Sequence, residues 1–412
     1  MIHDDLIIAL AKKYDTPLYL YDGNIICQKI NNLKRLLPSN SILFYSIKAN
    51  PLIGIARLLR EKGCKAETAS DGEIEIALRA GFTGDDIIFT GPGKTQEEII
   101  FAIEQGVHCI IAESYEEILY INSLSQKTQR VTNIGLRINP SIKDIGGSVI
   151  MGGASQFGIP EEIINEIISK IKSLHNVRLI ALHSYLASQI LNARQIVENV
   201  KNMYSLYSKL IKTHSLAIEL LDFGGGFGVP YFPHEHLLDE DALKNDLTKV
   251  FVDKTEENIH WAFESGRYLL ADAGIYITKV LYIKKCFGKL FAVVDGGSHH
   301  HASLAFLGRY IRHNFPVRII SKKNHDMTVT ISVCGKQCAP TDILAKDVEL
   351  NMPNIGDLMV FEKSGAYGLS MSPVLFLSNR SSAELLVHED RVYLLRESMG
   401  REFYVNTQKA EN

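Results

Sequence analysis

The amino-acid sequence predicts an α/β protein: a (β/α)8 TIM-type barrel followed by a mostly antiparallel β-barrel-like domain. Three observations carry this expectation. From about residue 42 to 265, short β-like runs alternate with amphipathic helical stretches. The span holds eight such strand–helix units, the number that closes a parallel sheet into a barrel. After about residue 270 the alternation stops, and β-rich runs follow one another with turns between them. A doubly wound open sheet is the structural alternative.

The elements follow in order. Residues 18–21 form a β-like run before the first barrel helix, and they are expected to add a strand to the second domain. The expected division is therefore 26–270 for the barrel, with 1–25 and 271–412 together forming the β domain. The barrel runs are 42–47, 64–68, 86–90, 107–111, 131–138, 178–183, 217–222 and 258–263. The first of them is apolar and aromatic, and a helical segment opens after Pro51. Helix-like segments include 95–105 and 160–173. In the latter, Ile163, Ile164, Ile167, Ile168 and Ile171 make one apolar stripe, with Glu161, Glu162, Asn165, Glu166 and Lys170 on the polar side. The β domain reads as runs at 276–283, 290–294, 317–320, 327–333, 358–361, 384–387 and 391–395.

Composition narrows the classes of partner. The 412 residues exceed one typical core, which makes two domains the default. Hydrophobic residues make up 46% and charged residues 22%, as in an ordinary soluble protein. A net charge of −3 gives no electrostatic reason to expect nucleic acid or an anionic membrane. No apolar run reaches bilayer length, and the acidic opening Met1-Ile2-His3-Asp4-Asp5 lacks a signal-peptide layout. Six scattered cysteines (27, 64, 109, 286, 334 and 338), with no CxxC pair, favour reduced thiols and a cytoplasmic location.

Chemistry-bearing residues recur where the barrel strands end, the place where barrels collect functional groups. Lys48 closes the first strand, in Tyr45-Ser46-Ile47-Lys48-Ala49-Asn50. A crowded lysine there loses part of its charge preference and becomes a usable amine nucleophile. Arg137-Ile138-Asn139-Pro140 ends the fifth strand, His183-Ser184-Tyr185 the sixth, Asp222-Phe223-Gly224-Gly225-Gly226 the seventh, and Glu264-Ser265-Gly266-Arg267 the eighth. Five such ends argue for one pocket. Gly224, Gly225 and Gly226 let backbone N–H groups approach an anion, and with Arg267 they match the usual phosphate position of barrels. Read alone, the triplet is a tight turn, and Arg267 a surface partner of Glu264. A carboxylate at Glu264 is placed to pair with a protonated pyridine nitrogen. Lysine, phosphate cradle and carboxylate are the three handles that pyridoxal 5'-phosphate requires.

The second domain adds Cys334-Gly335-Lys336-Gln337-Cys338-Ala339-Pro340-Thr341-Asp342 and Gly365-Ala366-Tyr367-Gly368. Gly335, Pro340 and Thr341 suit a loop, and a loop thiol exchanges protons when nearby charge tunes it. The triplet His299-His300-His301 invites a metal reading, but neighbouring strand residues face opposite ways, and no metal is expected.

Taken together, these residues resemble the fold-type III pyridoxal-phosphate decarboxylases, the group of diaminopimelate, ornithine and arginine decarboxylases. The resemblance runs from Leu18-Tyr19-Leu20-Tyr21-Asp22 to Gly365-Ala366-Tyr367-Gly368-Leu369-Ser370. It implies a homodimer whose active sites are shared across the interface. By position, Lys48 resembles the lysine that binds the cofactor aldehyde, and Glu264 the partner of the pyridine nitrogen. Gly224, Gly225, Gly226, Gly266, Arg267 and Tyr367 resemble cofactor contacts, chiefly to phosphate. Arg137 resembles the arginine that supports the carboxylate cluster, Ser188 a serine near the phosphate, and Cys338 the cysteine that returns a proton to Cα after carbon dioxide leaves.

The departures bear on the substrate. Tyr185 stands where the family stacks a histidine on the cofactor ring, Ala187 where it has glycine, and Ser265 where proline usually follows the glutamate. After the cysteine, diaminopimelate decarboxylases carry glutamate and ornithine decarboxylases aspartate, both reading a distal amine; here the residue is Ala339. That resembles a smaller branch with Cys-x-Pro-x-Asp, which acts on conjugates: glutamyl groups on an acyl carrier protein, or citrate-linked diamino acids in siderophore assembly. The expectation is a decarboxylase for an amino acid already conjugated at its far end. Arg309, Asp342 and Tyr367 are the expected substrate-binding residues; diaminopimelate decarboxylase is the nearest alternative, with Asp342 or a residue around Arg309 supplying the distal contacts. A fold-type III racemase and a non-catalytic regulatory homologue are further alternatives.

Overall fold

In the computed structural model the described residues are 2–141, 149–150, 153–252, 259–305, 313–321 and 327–410. Eight parallel strands form a closed ring in one of two compact units, which comprises residues 28–230 and 236–268. The strands are Ser41–Ser46, Lys65–Thr68, Ile87–Phe89, Cys109–Ala112, Thr132–Asn139, Val177–His183, Leu220–Asp222 and His260–Ser265. Each pairs with the next, and His260–Ser265 returns to pair in parallel with Ser41–Ser46. A strand buried on both faces needs no alternation, and Cys109–Ala112 and Leu220–Asp222 are buried throughout. Phe44, Ile88, Cys109, Ile111, Ile180, Leu220 and Ala262 pack together as a core.

Local chemistry starts the intervening helices. Ser70, Thr95, Ser114, Asn192 and Asp239 cap helices by accepting backbone N–H bonds. Thr95 and Glu98 cap reciprocally. The isoleucine stripe is realised in the helix Glu161–Ile171, where Ile164, Ile167, Ile168 and Ile171 are buried and Ile163 is exposed.

Register sets the level of the polar residues. Arg137, His183 and Asp222 are Cα partners across three adjacent strands. Glu264 lies two residues past Ala262, the partner of Asp222, and Glu67 pairs with Ser46. All of them therefore sit at the C-terminal ends of their strands.

The other unit comprises residues 1–27, 231–235 and 269–412. Its sheet is mostly antiparallel. Leu18–Asp22 lies between Gly274–Cys286, antiparallel to it, and Ala383–His388, parallel to it. The helix Asp4–Tyr14 buries Ile7 and Leu10 against Leu18, Leu20, Ile277, Val360 and Leu385. One strand, Ile343–Asn351, was not expected from sequence; it pairs antiparallel with Thr328–Cys334.

Candidate active site

The first strand stops at Ser46, and Lys48 lies just beyond it in the single turn Ile47–Ala49 rather than in the strand itself. That turn turns the lysine amine onto Glu67, with Nζ at 2.9 and 2.8 Å from the two carboxylate oxygens. Glu67 is 1% exposed and the Lys48 side chain 41%. Thr90 donates a second bond to the same carboxylate at 2.5 Å. Burial pushes the Glu67 carboxyl up, but the charge and hydrogen bond of Lys48, helped by Thr90 and Ser46, outweigh it and hold the group below its ordinary value. Glu73, beside the pair, is pushed up to about 7 by burial and by the Glu67 charge.

This arrangement fixes a pH dependence. A carboxyl lowered on folding contributes stability that is present above its unfolded pKa, about 4.3, and lost as pH falls through the folded value. Glu67→Gln is therefore expected to lower the Tm of the cofactor-free protein at pH 7, and the deficit should shrink below about pH 4. A deficit that stays constant into acid would contradict an ionic role for Glu67.

The Tyr185 ring lies 6.0 Å from Lys48 Nζ. Tyr185 also meets the glycine run: a Cβ on Gly224 would stand 2.8 Å from Tyr185 Cδ2 and 2.6 Å from the Ser184 carbonyl. A Cβ on Gly225 would overlap the Glu264 carbonyl oxygen. The run is thus seated flush against the sixth and eighth strand ends, where only glycine fits. Gly224 N–H donates to Asp222 at 2.8 Å, whereas the half-buried Gly225 and Gly226 N–H groups meet no acceptor among the described residues. Gly266 packs on Ala49, where a Cβ would lie 2.6 Å from the alanine methyl. Arg267 follows at once and opens the helix Arg267–Leu270. Ser188 sits in the short strand Ala187–Ser188.

Glu264 is 2% exposed, and His183 Nε2 lies 3.0 Å from its Oε1. Their acceptor and donor atoms, with one from Asp222, all fall within 4.8 Å of one another. Arg137 is buried on Glu113 at 2.9 Å, over the Phe157 ring at 4.6 Å, and Glu113 also accepts the Gly158 N–H at 3.0 Å. Glu67, Glu113, His183 and Asp222 were not assigned site roles from sequence. Glu113 carries the signal used for Lys48, a charged residue just past the apolar run Cys109–Ala112, whereas Glu67 lies inside the mixed strand Lys65–Thr68 and has no such signal.

In the β unit, Cys338 is exposed in a turn. Asp342 is 3% exposed and accepts the Ser298 N–H at 2.6 Å and the Gln337 N–H at 2.8 Å. Tyr367 is half-buried with φ +56°, a left-handed backbone unusual for a bulky residue. Arg309 lies outside the described residues. His299, His300 and His301 are buried in or beside a turn. His299 meets Gln337 at 2.6 Å and His300 the Arg380 carbonyl at 2.8 Å.

The barrel residues fit pyridoxal phosphate. An amine nucleophile, N–H groups with spare capacity on a glycine run, an arginine and a buried carboxylate supply one donor or acceptor for each polar end of that cofactor.

Comparison with known proteins reaches the same chemistry. Residues 24–271 match the family model for the pyridoxal-binding domain of pyridoxal-dependent decarboxylases. The chain is 39% identical to the L-glutamyl-[BtrI acyl-carrier protein] decarboxylase of Niallia circulans, over 98% of this chain and 96% of that one. It is 30% identical to the 2-[(L-alanin-3-ylcarbamoyl)methyl]-2-hydroxybutanedioate decarboxylase of Staphylococcus aureus, over 90% and 93%. Among solved structures, diaminopimelate decarboxylase of Helicobacter pylori in complex with L-lysine superposes with a TM-score of 0.88 at 27% identity, covering 97% and 98%. With the family model spanning the barrel and relatives aligned from end to end, this chain belongs to the pyridoxal-dependent decarboxylases, enzymes whose cofactor is pyridoxal phosphate.

Proposed function

We propose that the enzyme removes the α-carboxylate of an amino acid whose far end is already conjugated, as a carrier-bound glutamyl group or a citryl-diamino acid. One observation carries the reading: Ala339 follows Cys338, so the turn offers no carboxylate to a distal ammonium. Asp342 does not replace it. Both of its oxygens accept backbone N–H groups in a buried setting, which makes it an organiser of the turn rather than a reader of substrate. The relatives support this choice. One is named for a glutamyl group on a carrier protein and another for a substrate bearing an amide. Diaminopimelate decarboxylase remains the second reading, favoured by the close superposition with the Helicobacter pylori structure.

Bound pyridoxal phosphate supplies the electron sink for the pair left at Cα when carbon dioxide departs. In this reading Lys48 would hold the cofactor aldehyde, and its amine is the group that would give way to the substrate amine. Gly224, Gly225, Gly226, Gly266, Arg267 and Ser188 would bind the cofactor phosphate. Arg137 braces the carboxylates at the barrel mouth, and Tyr185 would face the ring without the charge an imidazole would bring. Glu264 would pair with a protonated pyridine nitrogen. Cys338, acting in the site of the neighbouring subunit of a homodimer, delivers a proton to Cα. Partners are limited to the amino-acid substrate or its carrier and a second copy of the chain. No described helix is long and apolar enough to cross a membrane, and the proposed location is the cytoplasm.

The test compares kcat/KM for a carrier-bound glutamyl thioester, a citryl-diamino acid, and free meso-diaminopimelate, ornithine and lysine. A conjugate is expected to lead by roughly 10²-fold or more, the scale on which unmatched polar groups are rejected. Faster turnover of a free diamino acid than of either conjugate would overturn the proposal.

A further inference from the structure

We propose that Asp222 and His183 act as positioning residues behind Glu264, forming a buried cluster in which the two carboxyl groups share the His183 imidazolium between them. The inference rests on the reading of Glu264 as the partner of the pyridine nitrogen, and it adds the groups that hold that carboxylate in place.

The geometry is specific. His183, Asp222 and Glu264 are 1%, 0% and 2% exposed, and one ligand atom from each lies within 4.8 Å of the others. Asp222 and His183 are Cα partners on adjacent strands, so their side chains leave the sheet side by side on the same face. Asp222 Oδ1 takes the Gly224 N–H at 2.8 Å, which joins the cluster to the glycine run. Asp222 Oδ2 and His183 Nδ1 are buried with no hydrogen-bond partner among the described residues.

Two carboxylates this close and this dry cannot both ionise without a cation or a shared proton. The groups facing His183 are Glu264, Asp222 and Arg137. Those facing Asp222 are Glu264, His183 and Glu67, with Cys109 and Tyr207. Arg137 is already paired with Glu113, which leaves the imidazole as the cation. Burial pulls the His183 ring down, but the Glu264 hydrogen bond and charge, then Asp222, outweigh it and raise it above its ordinary value. Burial and the Glu264 charge push Asp222 up to about 7.

The experiment is 15N NMR of histidine-labelled full-length protein, cofactor-free and loaded, with the His183 signals assigned by their loss in His183→Gln. His183 should be an imidazolium at pH 7.5 in the cofactor-free wild type. In Asp222→Asn its midpoint should fall by roughly 1–3 pH units, as for loss of an opposite charge at 4–6 Å. A neutral His183 in the wild type overturns the proposal even if the variant fails to fold, and so does an unchanged midpoint in a folded Asp222→Asn. The Glu264 reading fails separately: Glu264→Gln would then leave the cofactor absorption spectrum and its pH dependence unchanged.

Discussion

Lys48→Ala is expected to abolish turnover while the barrel stays folded. The side chain lies past the strand end, in a turn whose hydrogen bonds are made by the backbone, and it is 41% exposed. Its removal takes away the amine that would hold the cofactor aldehyde. Loss of that nucleophile should leave no measurable turnover. Borohydride treatment should then no longer fix the cofactor to the protein. The variant also leaves Glu67 buried without its cation, which penalises the ionised carboxylate. A modest fall in Tm at pH 7 should accompany the loss and diminish in acid. Retained borohydride labelling at another lysine would move the nucleophile elsewhere.

Glu264→Gln should be nearly as damaging. The substitution keeps size and one acceptor oxygen but replaces the other with a donor NH2 and removes the charge that would hold the pyridine nitrogen protonated. Loss of one preorganised electrostatic group costs about 10²–10³-fold in kcat. Because the residues proposed for the aldehyde and the phosphate are untouched, cofactor binding should weaken far less than turnover. The expected signature is a fall in kcat with little change in KM, measured on protein with confirmed cofactor content. A variant with wild-type kcat would remove Glu264 from the mechanism.

Much of this site was legible in the sequence because a barrel converts local pattern into position. An apolar run ending in a charged or glycine-rich stretch identifies a strand end, and in a parallel barrel all strand ends of one polarity share a rim. Lys48, Arg137, His183, Asp222 and Glu264 were placed at the rim that way, the first, second and last with proposed roles and His183 and Asp222 without any. Their partners were not. Glu67 pairs with Lys48 from 19 residues away, and Glu113 with Arg137 from 24. Such pairing depends on inter-strand register, which no single segment encodes. The strand Ile343–Asn351 escaped notice because Lys346, Asp347 and Glu349 break its apolar character. In sequence, Asp342 reads as a source of distal contacts because it is the nearest acid after Ala339. Only the fold shows it buried, with both oxygens taken by backbone N–H groups.

The measurement that bears most directly on the central claim is the mass of the product formed from a carrier-bound glutamyl thioester labelled with 13C at the α-carboxylate. Purified, cofactor-loaded enzyme should release labelled carbon dioxide and leave the decarboxylated acyl group still attached to the carrier. Intact labelled thioester under the same conditions, with carbon dioxide released from free diaminopimelate instead, would contradict the account and make the enzyme a decarboxylase of a free diamino acid.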